Sequence, residues 1–254
     1  MKELIKKVLK GIIVKTKEEN IFSLFKKTIF RIRKLFYVLY LKTNVKKFDI
    51  NFTTESLIDF VFYYGEGLLN PLQVRSEILK LIQIVKKQKP KVILEIGTAN
   101  GGTIFLFSRI ADKDAIIISI DLPGGRYGGG YPEWRTSLYK SFCLSNQRMY
   151  LIRANSHEEV TLNKIKDILN GTRLDFIFID GDHTYAGVKK DFEIYKSLTK
   201  EKALIAFHDI VIHPVELNVG VNQFWNEIKQ NYEYIEIVEN WDQKRCGIGI
   251  LKKK

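Results

Sequence analysis

A rhythm of short, nearly continuous apolar runs set between amphipathic segments constrains the fold most. Ile116-Ile-Ile-Ser-Ile and Phe176-Ile-Phe-Ile show no alternation of polar and apolar residues, the pattern of strands buried on both faces. Strands are expected at 91–96, 115–121, 149–153, 174–180 and 203–208. Helices are expected at 102–111, 158–169, 185–198 and 221–230. Strands that alternate with helices pair in parallel, and helices then cover both faces of the sheet. Two further strands near 233–238 and 246–252 have no helix between them and read as an antiparallel hairpin at one edge. The expected fold is α/β: a doubly wound, mostly parallel, Rossmann-like seven-stranded sheet. Two more helices are expected before it, at 53–66 and 71–88, the second started by Asn70-Pro71 as N-cap and first helical residue.

The charge is uneven. The chain has 254 residues and a formal net charge of +12. Residues 1–47 hold 14 Lys and Arg against 3 Glu, leaving 27 basic and 26 acidic residues for the rest. A near-neutral domain (51–254) therefore follows a basic helical arm (1–50). The balance argues against a nucleic-acid groove on the main domain. In the arm, Ile21, Phe25, Ile29, Ile32, Phe36 and Leu39 recur at three- and four-residue steps, with Lys27, Arg31 and Lys34 on another face. Such a helix either lies on an anionic membrane surface or packs on the core or a second subunit. No run of ~18 apolar residues predicts a spanning segment. The first apolar run lacks a signal-cleavage pattern. Cys143 and Cys246 lack metal-type spacing and read as reduced thiols. The expected location is cytoplasmic, with a peripheral contact on the inner membrane surface as one use of the arm.

The first strand ends at Glu95 and runs into Ile-Gly97-Thr98-Ala-Asn100-Gly101-Gly102-Thr103. Glycines there let the chain turn sharply and a ligand approach the backbone. The dinucleotide fingerprint needs glycine where this chain has Ala99, so a ligand without a pyrophosphate is favoured. Asp121 closes the second strand, where an acid accepts hydrogen bonds from ribose hydroxyls. These features leave S-adenosylmethionine (SAM) and, less well matched, a nicotinamide cofactor of an oxidoreductase as ligands. A non-catalytic protein docking on membrane or nucleic acid through its arm is a third reading.

The loop resembles the first motif of class I SAM-dependent methyltransferases. Phe178-Ile-Asp180-Gly-Asp182-His183-Thr-Tyr185, Phe207-His208-Asp209, Gly220-Val-x-x-Phe-Trp225 and Gly247-Ile-Gly-Ile-Leu resemble a subgroup with macrocin-type sugar O-methyltransferases and cephalosporin-hydroxylase-like methyltransferases. The resemblance covers residues 70–252 and leaves out the arm. It implies that Glu95, Gly97, Thr98, Asn100, Gly101 and Thr103 hold the methionine part of SAM. Asp121 would hold the ribose, and Asn155 and Ser156 would lie beside the adenine, with Asp180 also in the cofactor site. Asn100 departs from the small residue common in the family. Amino methyltransferases carry Asn/Asp-Pro-Pro-Tyr/Phe after the fourth strand; Asp180-Gly-Asp-His here favours oxygen as acceptor.

Asp180, Asp182, His183, His208 and Asp209 fall at the carboxyl ends of two strands, the edge where open α/β sheets bind ligands. Asp180, His183 and His208 are the candidate catalytic residues, with imidazole as the natural base near neutral pH. By resemblance to metal-dependent O-methyltransferases, Asp180, His208 and Asp209 would hold a divalent ion. Histidine at 208, where the family often has an acid, prefers softer ions than Mg²⁺, which leaves Mg²⁺, Mn²⁺ or no metal as alternatives. His157 and His213 have no evident partner, His183 or Asp182 could cap the helix after them, and Trp225 reads as core. Residues 122–135 hold five glycines with Arg126, Tyr127, Tyr131 and Trp134, and read as a lid over a sugar or other small-molecule acceptor.

Overall fold

The computed structural model describes residues 21–45, 52–124, 130–144 and 146–253. They divide into two units after Thr43. In the first, α1 (Ile21–Asn44) is a single helix of 24 residues with no acid in its first turn.

The second unit carries the sheet. Its strands are β1 (Val92–Ile96), β2 (Ile116–Asp121), β3 (Arg148–Arg153), β4 (Leu174–Ile179), β5 (Thr199–His208), β6 (Glu233–Ile237) and β7 (Ile248–Lys252). They lie in the order β3-β2-β1-β4-β5-β7-β6. The first five pair in parallel. β7 runs antiparallel between β5 and β6. Every residue of β1, β2 and β4 is buried, as their unbroken apolar sequences require. The chain order reverses between β1 and β4, so their carboxyl ends open a crevice at the switch point.

The helices are α2 (Thr54–Tyr63), α3 (Arg75–Gln88), α4 (Gly102–Ile110), α5 (Thr136–Lys140), α6 (Glu159–Leu169), α7 (Tyr185–Tyr195) and α8 (Val221–Ile228). Three details depart from the sequence reading. α3 starts at Arg75 after Val74, with no side-chain cap; Asn70 instead gives its carbonyl to the Asn100 side chain. β5 begins at Thr199 rather than 203, with a register shift against β4 and Lys202 left-handed at φ 62°. The short α5 follows the segment read as a lid. Trp225 is fully buried, and its indole N–H donates to Glu236 at 2.7 Å.

Candidate active site

The glycine loop is built from below. Glu95, fully buried, accepts hydrogen bonds from the Thr103 hydroxyl at 2.5 Å and the Ser119 hydroxyl at 3.1 Å. Thr98 hydrogen-bonds Ser119 from the loop side. Burial pushes the Glu95 carboxyl up to about 8, against the pull of these two hydroxyls. The acid and both threonines thus brace the loop from beneath. At Gly97, φ is 96° and a Cβ would overlap the Asp180 carbonyl, so only glycine lets the ends of β1 and β4 meet. At Gly101 a Cβ would enter the Tyr139 ring. Asn100 points to Asn70.

Above the loop lies a cleft of about 540 Å³, within the size range of small-molecule sites. Gly97, Ala99, Asp121, Asn155, Ser156 and Asp180 line it. Of the residues expected around the cofactor, Glu95, Thr98, Asn100, Gly101 and Thr103 support the loop rather than line the cleft. Asp121 accepts backbone N–H groups from Ala99 at 2.9 Å and Gly130 at 3.0 Å, one on each oxygen. Burial holds its carboxyl above the usual range despite these donors. Each oxygen keeps a lone pair for a ligand hydroxyl.

The far wall is a cluster of carboxylates and imidazoles. His183 Nδ1 lies 2.6 Å from Asp209 Oδ2. His208 Nδ1 lies 2.8 Å from Asp180 Oδ1 and 3.4 Å from Asp209 Oδ1. His213 Nε2 stands 3.1 Å from Asp209 Oδ1. Asp209 is left-handed, at φ 66°, and also accepts the Cys246 N–H at 3.0 Å. Gln73 donates to Asp180 Oδ2 at 2.6 Å. Burial opposes charge on His208, but Asp180 and Asp209 outweigh it and hold this imidazole well above its usual range. The same balance, with the Asp209 hydrogen bond leading the opposition to burial, raises His183. Burial works against ionised Asp209 too, yet His208, with the His183, His208 and His213 contacts, holds it well below the carboxylate range.

The helix after β4 needs no cap from His183. Thr184 caps it by accepting from Gly187 N–H, and Asp182 accepts the Thr184 N–H at 3.0 Å. His208 meets carboxylates rather than a backbone carbonyl. His157 and His213, which the sequence left without partners, both line the cleft; His157 Nε2 is 3.2 Å from the buried Asp191. Gln73 and Cys246 also went unseen, since each reaches the site from a loop far away in sequence.

The lid reading changes. Tyr131 is buried against the Tyr139 ring at 4.9 Å. Trp134 is about half exposed with Arg135 over its ring. Neither lines the cleft. Arg126 and Tyr127 lie outside the described residues.

For a metal, one ligand atom each from Asp180, His183 and Asp209 lie within 4.8 Å of one another, as do those of His208, Asp209 and Cys246. Asp209 belongs to both groups; the first shares Asp180 with the set expected from the sequence and the second shares His208.

Comparison with known proteins sharpens this geometry. Residues 94–210 match the family model of a methyltransferase domain. This segment is similar to a methyltransferase domain. The matched segment runs from within β1 to just past β5 and so includes the glycine loop, Asp121, Asp180 and the His208-Asp209 pair. A Bacillus cereus O-methyltransferase solved with S-adenosylhomocysteine superposes with a TM-score of 0.53 at 17% identity, covering 84% of this chain and 97% of its own. A Staphylococcus aureus protein named as a caffeoyl-CoA O-methyltransferase gives 0.55 at 24% identity, over 88% and 100%. The O-methyltransferase TomG of Streptomyces achromogenes, involved in tomaymycin synthesis and solved with SAM, gives 0.50 at 17%, over 80% and 91%. At these identities the likeness is one of fold. A Sinorhizobium fredii protein, y4gI, is 27% identical over 149 residues, 57% of this chain, and the match spans 16% of that protein's length. Among the described residues no helix is long and apolar enough to cross a membrane.

Proposed function

We propose that the protein is a SAM-dependent O-methyltransferase acting on a hydroxyl of a sugar or other small molecule. One observation carries the reading: the His183–Asp209 pair faces the same cleft as the glycine loop and Asp121. The residues fit the cofactor, because the loop has no Cβ at Gly97 and the Asp121 carboxylate retains acceptor capacity for ribose hydroxyls. When bound, SAM supplies an electrophilic methyl on its sulfonium. Asp209, held ionised, fixes the Nδ1 proton of His183 and so leaves its other ring nitrogen as the acceptor of a proton. That nitrogen takes the hydrogen of the substrate hydroxyl. Asp180, braced by Gln73 and His208, keeps the β4 end in place. The walls hold the two reactants at one distance and exclude water.

A second reading concerns a divalent ion, favoured by the grouping of Asp180, His183 and Asp209. Two carboxylates and an imidazole suit Mn²⁺ better than Mg²⁺, and such an ion would lower the pKa of an acceptor hydroxyl. Titration calorimetry separates cofactor classes: S-adenosylhomocysteine binds and NAD does not. NAD binding with no response to S-adenosylhomocysteine overturns the proposal. Equal methyl transfer before and after chelation removes the metal reading alone.

A further inference from the structure

We propose, resting on the methyl-transfer reading, that the acceptor is an anion: the compound whose hydroxyl is methylated carries a carboxylate or phosphate group, and Arg245 holds it. The sheet places Arg245 on the acceptor side of the cleft. β7 runs antiparallel to β5 and pairs Ile248 with His208, so the residues just before Ile248 lie at the edge where the parallel strands end. In the strand order, β1, β4 and β5 stand between Asp121 at the end of β2 and this flank. The His183–Asp209 pair, at the ends of β4 and β5, therefore lies between Arg245 and the ribose end of the site.

The backbone at this flank is fixed from outside the cleft. Buried Glu77 accepts the Gly247 N–H at 2.9 Å and the Gln243 side-chain amide at 2.8 Å, and the same amide donates to the Arg245 carbonyl at 2.8 Å. Lys244 and Cys246, on either side of Arg245, are both left-handed, at φ 55° and 59°. Residues with a Cβ seldom adopt that conformation unless their surroundings hold them there. Methyl transfer uses neither Glu77 nor Gln243; together they set where residue 245 stands.

Charge then selects the ligand. Four carboxylates line the cleft, those of Asp121, Asp180, Asp182 and Asp209, and Arg245 is the one Lys or Arg among the described lining residues. The acids have other partners. Asp209 meets His183, His208 and His213, and Asp180 lies between His208 and Gln73. Asp182 and Asp121 accept backbone N–H groups. The Arg245 side chain is exposed, and among the described residues it has no hydrogen bond or ion pair. A fork of N–H donors left open on the wall of a substrate cleft suits a carboxylate or a phosphate. A cationic acceptor would find the acids already engaged and Arg245 repelling it, and a neutral one would leave the guanidinium unused.

Calorimetry on the full chain tests this, with and without S-adenosylhomocysteine. The probes are glucuronate, glucose 6-phosphate and glucose, which differ in the charged group they carry. The wild type binds at least one of the anions about tenfold or more tighter than glucose, and the tighter of the pair tells carboxylate from phosphate. Arg245→Gln loses about tenfold to a hundredfold for that anion and leaves glucose unchanged. Arg245→Lys keeps part of the affinity, as a charge without the fork, and added salt weakens the wild type. Thermal midpoints and S-adenosylhomocysteine affinity stay the same in both variants. The proposal falls if neither anion outbinds glucose, or if Arg245→Gln binds the anion as the wild type does. Anion binding that depends on Arg245 in a chain that ignores S-adenosylhomocysteine keeps the subsite and sinks the methyl-transfer reading instead.

Discussion

His183 and Asp209 face each other at 2.6 Å across the carboxyl ends of two neighbouring strands. The pair joins a base to the group that orients it, although 25 residues of helix, turn and strand separate them in the chain. Replacing His183 with Ala, or Asp209 with Asn, is expected to lower methyl transfer by roughly 10²–10⁴-fold. Binding of S-adenosylhomocysteine should persist in both. Turnover and calorimetry on the two variants check this together.

The pH profile follows from the same pair. His183 accepts a proton only when neutral, and its pKa is held above the ordinary imidazole value of 6.5. Activity is therefore expected to rise with pH, with its midpoint above 6.5. Asp209 stays ionised over that range because its own pKa is depressed. In the residual activity of Asp209→Asn the midpoint should fall back toward the ordinary value. A midpoint that does not move assigns the titration to another group.

Gln73 is expected to matter through Asp180. Its side-chain amide donates at 2.6 Å to one oxygen while His208 holds the other. Gln73→Ala removes one of two side-chain partners and should cost about tenfold in turnover. Gln73→Glu places like charges in contact and should cost more. Initial rates of the two variants, with thermal midpoints as folding controls, order the effects.

Two glycines make a matched pair. Both have positive φ, 96° at Gly97 and 75° at Gly124. A Cβ at Gly97 would strike the Asp180 carbonyl, whereas at Gly124 it would meet nothing within 4 Å among the described residues. Gly124→Ala should cost roughly 1 kcal/mol, the strain of the backbone alone. Gly97→Ala should cost about 3 kcal/mol or more and abolish cofactor binding. Urea denaturation and calorimetry give both readings.

Glu95 sets a pH dependence of stability. Its folded pKa is raised from 4.5 to about 8. Between those values the folded chain keeps a proton that the unfolded chain has released. Stability then falls as pH rises through the window, by an amount on the order of a few kcal/mol. Glu95→Gln has no such proton and should show a flatter profile. Urea midpoints at the two ends of the window measure the difference.

The fold was legible where one residue type decides one environment. Continuous apolar runs such as Ile116–Asp121 and Leu174–Ile179 admit only strands buried on both faces, and the glycine turn after Glu95 fixed which end of the sheet holds the site. Asp180, His183 and Asp209 followed, because their positions at strand ends are set by chain order. What failed was contact at long range. His213 reads as an isolated imidazole until the turn after β5 brings it against Asp209. His157 gains its meaning from Asp191, one helix and one strand away. Tyr131 looked like a stacking group because it stands among glycines, yet its ring is buried against Tyr139, four residues beyond the 3₁₀ turn. Asn70-Pro71 carries a helix-start signal, but Asn70 is taken up by a hydrogen bond to Asn100, across the chain.

The position of β7 has a consequence for how the chain is made. β6 joins the sheet only through β7, which is synthesised after it. While the ribosome is still adding residues 238–247, β5 is an open edge and β6 has no strand to pair with. The same late segment carries Cys246 and Gly247, whose N–H groups reach Asp209 and Glu77. The nascent chain therefore gains its finished sheet and its finished Asp209 environment in one closing event. Until then it exposes a pairing edge beside a carboxylate that lacks one of its donors.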